Sequence, residues 1–285
     1  MSAFRFDGEP GITLQLPTAI CLLVGCILLQ VPIHQAARII MGKNLAVATS
    51  ILLGMFLPAV VTVLWISPRP GDTLRLRAIP LTGMISATGA ALSFTLLASG
   101  AFEWLLRSGL IPEHLLELLE QEEMFFRDIF RLQSAPDIAI VGLVLVFIAP
   151  LAEELLFRGI FQGSLERTVG HWPGILIAAV TFGLLHGRIR FIPVSLLGLL
   201  MGYVVMRTNS LPVGMAAHSV HNLAILCLSQ FYARHSAYRT IPLLIAVFGA
   251  VALVVFLSRF HALTRLYPRL PRGRPNRYPL PPPGT

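Results

Sequence analysis

Long apolar runs alternate with short polar breaks along almost the whole chain. Stretches of about 20 apolar residues, enough to cross a bilayer as a helix, fall at 11–33, 45–66, 79–106 and 137–157. Shorter ones follow at 173–187, 191–207, 211–230 and 241–259, interrupted by Arg188, Arg190, Pro193, Asn209 and Pro212. Pro17, Pro58 and Pro80 blur the ends of the first group, and membrane helices accommodate such prolines as kinks. The pattern predicts an all-α polytopic membrane protein with eight transmembrane helices. One segment departs from it. Over 113–131, Leu115, Leu116, Leu118, Leu119, Phe125, Phe126, Ile129 and Phe130 interleave with Glu117, Glu120, Glu122, Glu123 and Asp128. That spacing predicts an amphipathic acidic helix, lying at the interface or packed over the bundle. A solvated face accounts for its carboxylates most simply, and control of substrate access is the alternative.

Composition narrows the class. Of 285 residues, 55% are hydrophobic and 13% charged, against about 25% charged in a soluble domain. No Gly/Ser-rich or acidic linker divides the chain, so 1–285 reads as one membrane-embedded domain. Cys21, Cys26 and Cys227 lie in apolar runs without CxxC spacing and read as buried small hydrophobes. The net charge of +8 is almost wholly arginine, Lys43 being the single lysine. Its spread over loops between apolar runs argues against nucleic acid. Only in the Pro-rich tail, 260–285, do basic residues cluster, as expected of a cytoplasmic segment facing anionic lipid. With that tail inside, Arg69, Arg75 and Arg77 also fall inside and the acidic helix outside. Lys43, Arg188, Arg190, Arg234 and Arg239 then run against the rule. No cleavable signal peptide is evident. Together with the short, arginine-rich loops, this predicts a bacterial inner (cell) membrane protein whose surroundings are the lipid bilayer.

Three polar islands stand out within the apolar sequence. No charged residue occurs between Ile138 and Ala152; then Glu153, Glu154 and Arg158 arrive together. Ionisable groups at bilayer depth cost roughly 2.5–3.5 kcal/mol each on insertion scales and are seldom idle. After Glu154 the only acid is Glu166. The second island is His186, one turn after Phe182. The third is His218-Ser219-Val220-His221-Asn222. Helical spacing stacks Glu154 on Arg158 as an ion pair, which leaves Glu153 for proton chemistry. Glu153 and His186 are placed to hold and deprotonate a water, with His218 and Asn222 donating to the oxyanion formed when that water attacks an amide carbonyl. His221 is the less certain member of that face. Each island alone is explained as a helix-end charge cluster or a polar pair satisfied across helices. Glu153, His186 and His218 also make a possible ligand set for zinc or another divalent metal, although no HExxH helix is present.

Glu153-Glu154-x-x-x-Arg158, Phe182-x-x-x-His186 and His218-x-x-x-Asn222, in this order, resemble the three motifs of the CPBP intramembrane proteases (CAAX protease and bacteriocin-processing, or Abi). Trp172, Gly198-x-x-x-Gly202-Tyr203 and Arg207-Thr208-Asn209-Ser210-Leu211 are similar to the same family. The resemblance covers about 137–230 and leaves 1–136 without a comparable pattern. It implies eight membrane helices, a cytoplasm-facing catalytic cavity, and endopeptidase activity on a membrane-associated protein or peptide. Glu153 is then similar to the general base, Glu154 and Arg158 to its support, His186 to the second water-activating group, and His218 and Asn222 to the oxyanion donors. The family has been classed both as metal-dependent and as glutamate-type; the chemistry above favours the glutamate version with no required cofactor. Competing readings are a catalytically silent immunity or scaffold protein of the same fold and a proton-coupled transporter subunit. The halves show no matching broken segments of the kind inverted-repeat transporters carry.

Overall fold

The computed structural model describes residues 15–129, 133–235 and 240–265. Nine helices form its frame: α1 (Leu16–Met41), α2 (Lys43–Ile66), α3 (Leu81–Ser108), α4 (Glu113–Ile129), α5 (Ala135–Val169), α6 (His171–Leu184), α7 (Phe191–Thr208), α8 (Leu211–Arg234) and α9 (Thr240–Thr264). A one-turn helix, Pro70–Thr73, lies between α2 and α3. No strand occurs among the described residues. The all-α polytopic architecture is as expected. The ends follow local chemistry: Gly109 closes α3 in the left-handed region (φ 74°), and Ser134 opens α5 with a reciprocal capping box to Asp137.

Seven of the helices are long and apolar enough to cross a membrane. Of the other two described helices, α4 is amphipathic and α6 has only 14 residues. At 1.5 Å per residue α6 is about 21 Å long, short of the roughly 30 Å hydrocarbon core. The fifth apolar run therefore does not make a full span. Helix α4 is the predicted amphipathic segment, ending at Ile129. Phe130 and Arg131 lie outside the described residues, as do the side chains at 125–129 and the basic tail from 266 onward.

Packing rests on small residues where backbones meet. Between α3 and α9, a Cβ on Gly100 would fall 2.6 Å from the Pro242 carbonyl, and one on Gly249 would collide with the Leu97 backbone. Only glycine permits that approach, the usual way apolar helices associate in lipid. The outward surfaces are apolar, with Trp65, Ile39, Phe248 and Val254 all strongly exposed. On a water-soluble protein such a surface would be an aggregation liability; in a bilayer it is solvated.

Contacts between helix ends define two faces. On the first, Arg75 pairs with Glu166 (2.9 Å), its carbonyl accepts from Leu211 N–H (2.9 Å), and Arg207 reaches Thr264 (3.0 Å). On the second, Asn44 donates to Asp137 (3.0 Å), Arg107 to the His235 carbonyl (2.9 Å), and Glu122 of α4 accepts from the loop after α6. The C-terminal end of α9 is thus opposite α4.

Candidate active site

Helix α5 carries the carboxylates and is not a plain α-helix. It winds as π-helix over Val144–Ile148 and Leu155–Phe161, a local defect common at functional sites. Between the two lies Ala149–Glu154, so both acids sit at the end of a short α-helical stretch framed by irregular turns. The first π turn has a chemical consequence. There, Ala149 N–H bonds to Val144 C=O, five residues back. In that register the next donor would be the nitrogen of Pro150, which carries no hydrogen. The Leu145 carbonyl is thereby left without its helical partner, and the Asn222 side-chain amide donates to it at 2.7 Å. Asn222 has a second amide hydrogen, which this bond leaves available.

Glu154 is fully buried. Arg158 Nη1 lies 3.4 Å from its Oε1, so the expected pair forms, but Arg158 Nη1 makes no hydrogen bond there. The guanidinium is held otherwise: its Cζ stacks 4.4 Å from the Phe182 ring centroid, and Nη2 approaches the Gly198 carbonyl at 3.5 Å. The shorter bond to Glu154 comes from His218, whose Nδ1 is 3.0 Å from the same Oε1. Taking a carboxylate out of water costs several kcal/mol; here two cationic or donor groups offset it at once. The other side of that imidazole faces the second acid, with His218 Nε2 3.8 Å from Glu153 Oε2. His218 thus bridges the two carboxylates, a link that helical spacing alone does not reveal. Gly214, one turn before His218, makes room for it: a Cβ there would lie 2.9 Å from Glu154 Oε2.

His186 sits just past the end of α6. Its Nδ1 donates to the Phe182 carbonyl at 2.7 Å, which leaves Nε2 as the lone-pair nitrogen of the neutral ring. The Phe182 ring lies between the histidines, its centroid 4.4 Å from His186 and 6.0 Å from His218. His221 turns away from this group. Thr95 spends its one hydroxyl hydrogen on the Ala91 carbonyl, so His221 Nδ1 is the donor in their 2.7 Å contact. His221 therefore secures α8 against α3.

The fold thus links Glu153, Glu154, Arg158 and His218 in one chain of contacts. Phe182 connects His186 to that chain, and Asn222 lies one turn beyond His218, tied to α5. Glu153 is the accessible carboxylate, its side chain 18% exposed against 0% for Glu154. Among the described residues no three His, Cys, Asp or Glu side chains are grouped closely enough to hold a metal ion as they stand. Gly214, Leu145 and the bridging role of His218 were not foreseen. Pro150 was the available signal for the orphaned carbonyl.

Residues 135–224 match the family model described as type II CAAX prenyl endopeptidase Rce1-like. The match runs from the first residue of α5 to two residues past Asn222, and so contains all six site residues. No curated protein and no solved structure matches the chain.

Proposed function

We propose that this chain, which carries at residues 135–224 an Rce1-like domain of the CPBP family, is an intramembrane endopeptidase of the glutamate type. The substrate is a membrane-associated protein or peptide, and the setting a bacterial inner membrane. The observation that carries this reading is the accessible Glu153 facing His218 at 3.8 Å, within the matched segment and inside a membrane helix. Glu153 and the lone-pair Nε2 of His186 hold a water. As its oxygen attacks the amide carbonyl, Glu153 takes the proton. The oxyanion is met by the second Asn222 amide hydrogen and by His218 Nε2, the ring acting with both nitrogens protonated and Glu154 as its counter-charge. Collapse of the tetrahedral adduct breaks the C–N bond, and the proton on Glu153 passes to the leaving amine. Glu154 and Arg158 position His218 and touch no reacting atom. No step passes through a metal.

The test uses purified protein in proteoliposomes with two internally quenched peptides, one farnesylated and ending in a CAAX sequence, the other its unprenylated counterpart. Wild-type protein should cleave at least one, and Glu153→Gln should cleave neither while reaching normal abundance. Cleavage by Glu153→Gln at the wild-type rate would remove Glu153 as the base. Zinc found stoichiometrically by mass spectrometry, lost with activity on chelation and restored with it, would replace the glutamate mechanism by a metal-dependent one.

A further inference from the structure

The loop from His186 to Phe191 joins the short α6 to α7, and it has an unmet need for partners. Its backbone is irregular, so its N–H groups have no helical acceptor and need partners from elsewhere in the protein or from solvent. Gly187 adopts φ +100°, a conformation that side chains disfavour, and Arg190 stands at the N-cap of α7. The amides of Arg188 and Ile189 point out of the resulting turn. Both donate to one oxygen of Glu122 in α4, at 2.6 and 3.1 Å. A Cβ on Gly187 would fall 2.8 Å from the same oxygen, so the glycine permits the carboxylate to seat as well as the turn to form. Arg190 feels the charges of Glu122 and Glu123, which oppose the lowering of its pKa by burial.

Resting on the endopeptidase reading, we propose that Glu122 is a positioning residue for His186, its carboxylate latching the loop that follows the histidine and making α4 part of the working machinery. His186 is fixed on its N-terminal side by Phe182, through both the carbonyl and the ring. On its C-terminal side it is followed by a glycine, so the next rigid points are the two amides that Glu122 holds. Releasing them frees the imidazole to drift from the water that it must orient, and misplacement of about 1 Å costs on the order of 100-fold in rate. Helix α4 lies outside the segment that matches the endopeptidase family.

Two measurements on the full chain in proteoliposomes test the latch. Hydrogen exchange followed by mass spectrometry should show the Arg188 and Ile189 amides protected in wild-type protein and exchanging faster in Glu122→Ala. Kinetics on the farnesylated peptide should show kcat reduced about 10- to 100-fold in Glu122→Ala with KM unchanged. Glu122→Gln, which keeps an acceptor oxygen, should restore most of kcat, and Glu120→Ala, on an exposed position of α4, should leave both parameters as they are. Glu122→Asp, one methylene short of the loop, replaces the alanine variant if that does not accumulate. Unchanged exchange in Glu122→Ala, or faster exchange with wild-type kcat, would overturn the proposal. Wild-type protein that cleaves neither peptide would count against the endopeptidase reading, while the exchange data would still decide whether Glu122 holds the loop.

Discussion

Arg158 lies over the Phe182 ring and within 3.4 Å of Glu154, so one buried cation serves both an aromatic face and a carboxylate that also holds His218. Removing it leaves Glu154 fully buried with only His218 for a partner. Breaking one member of such a group typically costs about 3–5 kcal/mol. Arg158→Ala should therefore lower the thermal stability and membrane abundance of the protein along with its activity, measured by fluorescence-detected unfolding in detergent. Glu153→Gln should leave both at wild-type levels, since Glu153 is partly exposed and the glutamine amide still fits beside His218 Nε2. Gly214→Ala tests the space that the carboxylate needs. Its methyl would press on Glu154 Oε2, and overpacking of this kind costs about 1–3 kcal/mol. Equal stability of wild type and Gly214→Ala would show that the carboxylate has room to move.

Among the elements, α5 has the most unusual construction. Its first π turn, followed by Pro150, leaves the Leu145 carbonyl to Asn222, so this asparagine combines a structural bond with the proposed oxyanion contact. Loss of Asn222 should strip both. An unpaired buried carbonyl costs about 1–3 kcal/mol, and a lost oxyanion donor about 100- to 1000-fold in turnover. Pro150→Ala supplies an N–H in the register of Leu145, which separates the two roles. In a double-mutant cycle, Pro150→Ala should recover the stability lost in Asn222→Ala but none of its turnover. Recovery of turnover as well would make the role of Asn222 purely structural. The heptad-free apolar runs located the helices well, yet they contained no sign of the π turns, because winding depends on which carbonyls find partners across the bundle.

Across the whole molecule, the contacts at the helix ends put α4 and the His186 loop on one face and the exit of α9 on the other. Two expectations drawn from the sequence then pull apart. A basic tail inside places α4 outside, whereas a cytoplasm-facing cavity reached past His186 places α4 inside. Single cysteines at Glu113 and Asp72, both exposed, in a background without the three native cysteines, should label from opposite sides of the membrane with an impermeant maleimide. Labelling of both from one side would refute the two-face arrangement. Labelling of Glu113→Cys from the cytoplasm would put the His186 loop where the family resemblance implies.

Hydrophobic runs, scarce charge and three polar islands by themselves determined a bundle of membrane helices and marked the residues in it that call for a partner or a task. These properties are written locally: apolar length sets spanning, and an ionisable group in such a run must find a partner or a task. What tertiary structure alone decided is who partners whom. His218 chose both carboxylates, Asn222 chose Leu145, His221 turned to Thr95, and Glu122 reached the loop after His186 from 66 residues away. None of these follows from spacing along one helix, because each depends on the rotation and depth of two helices relative to each other. Those are set by where glycines such as Gly100 and Gly249 let backbones close together, and by which buried donors and acceptors the bilayer leaves unsatisfied.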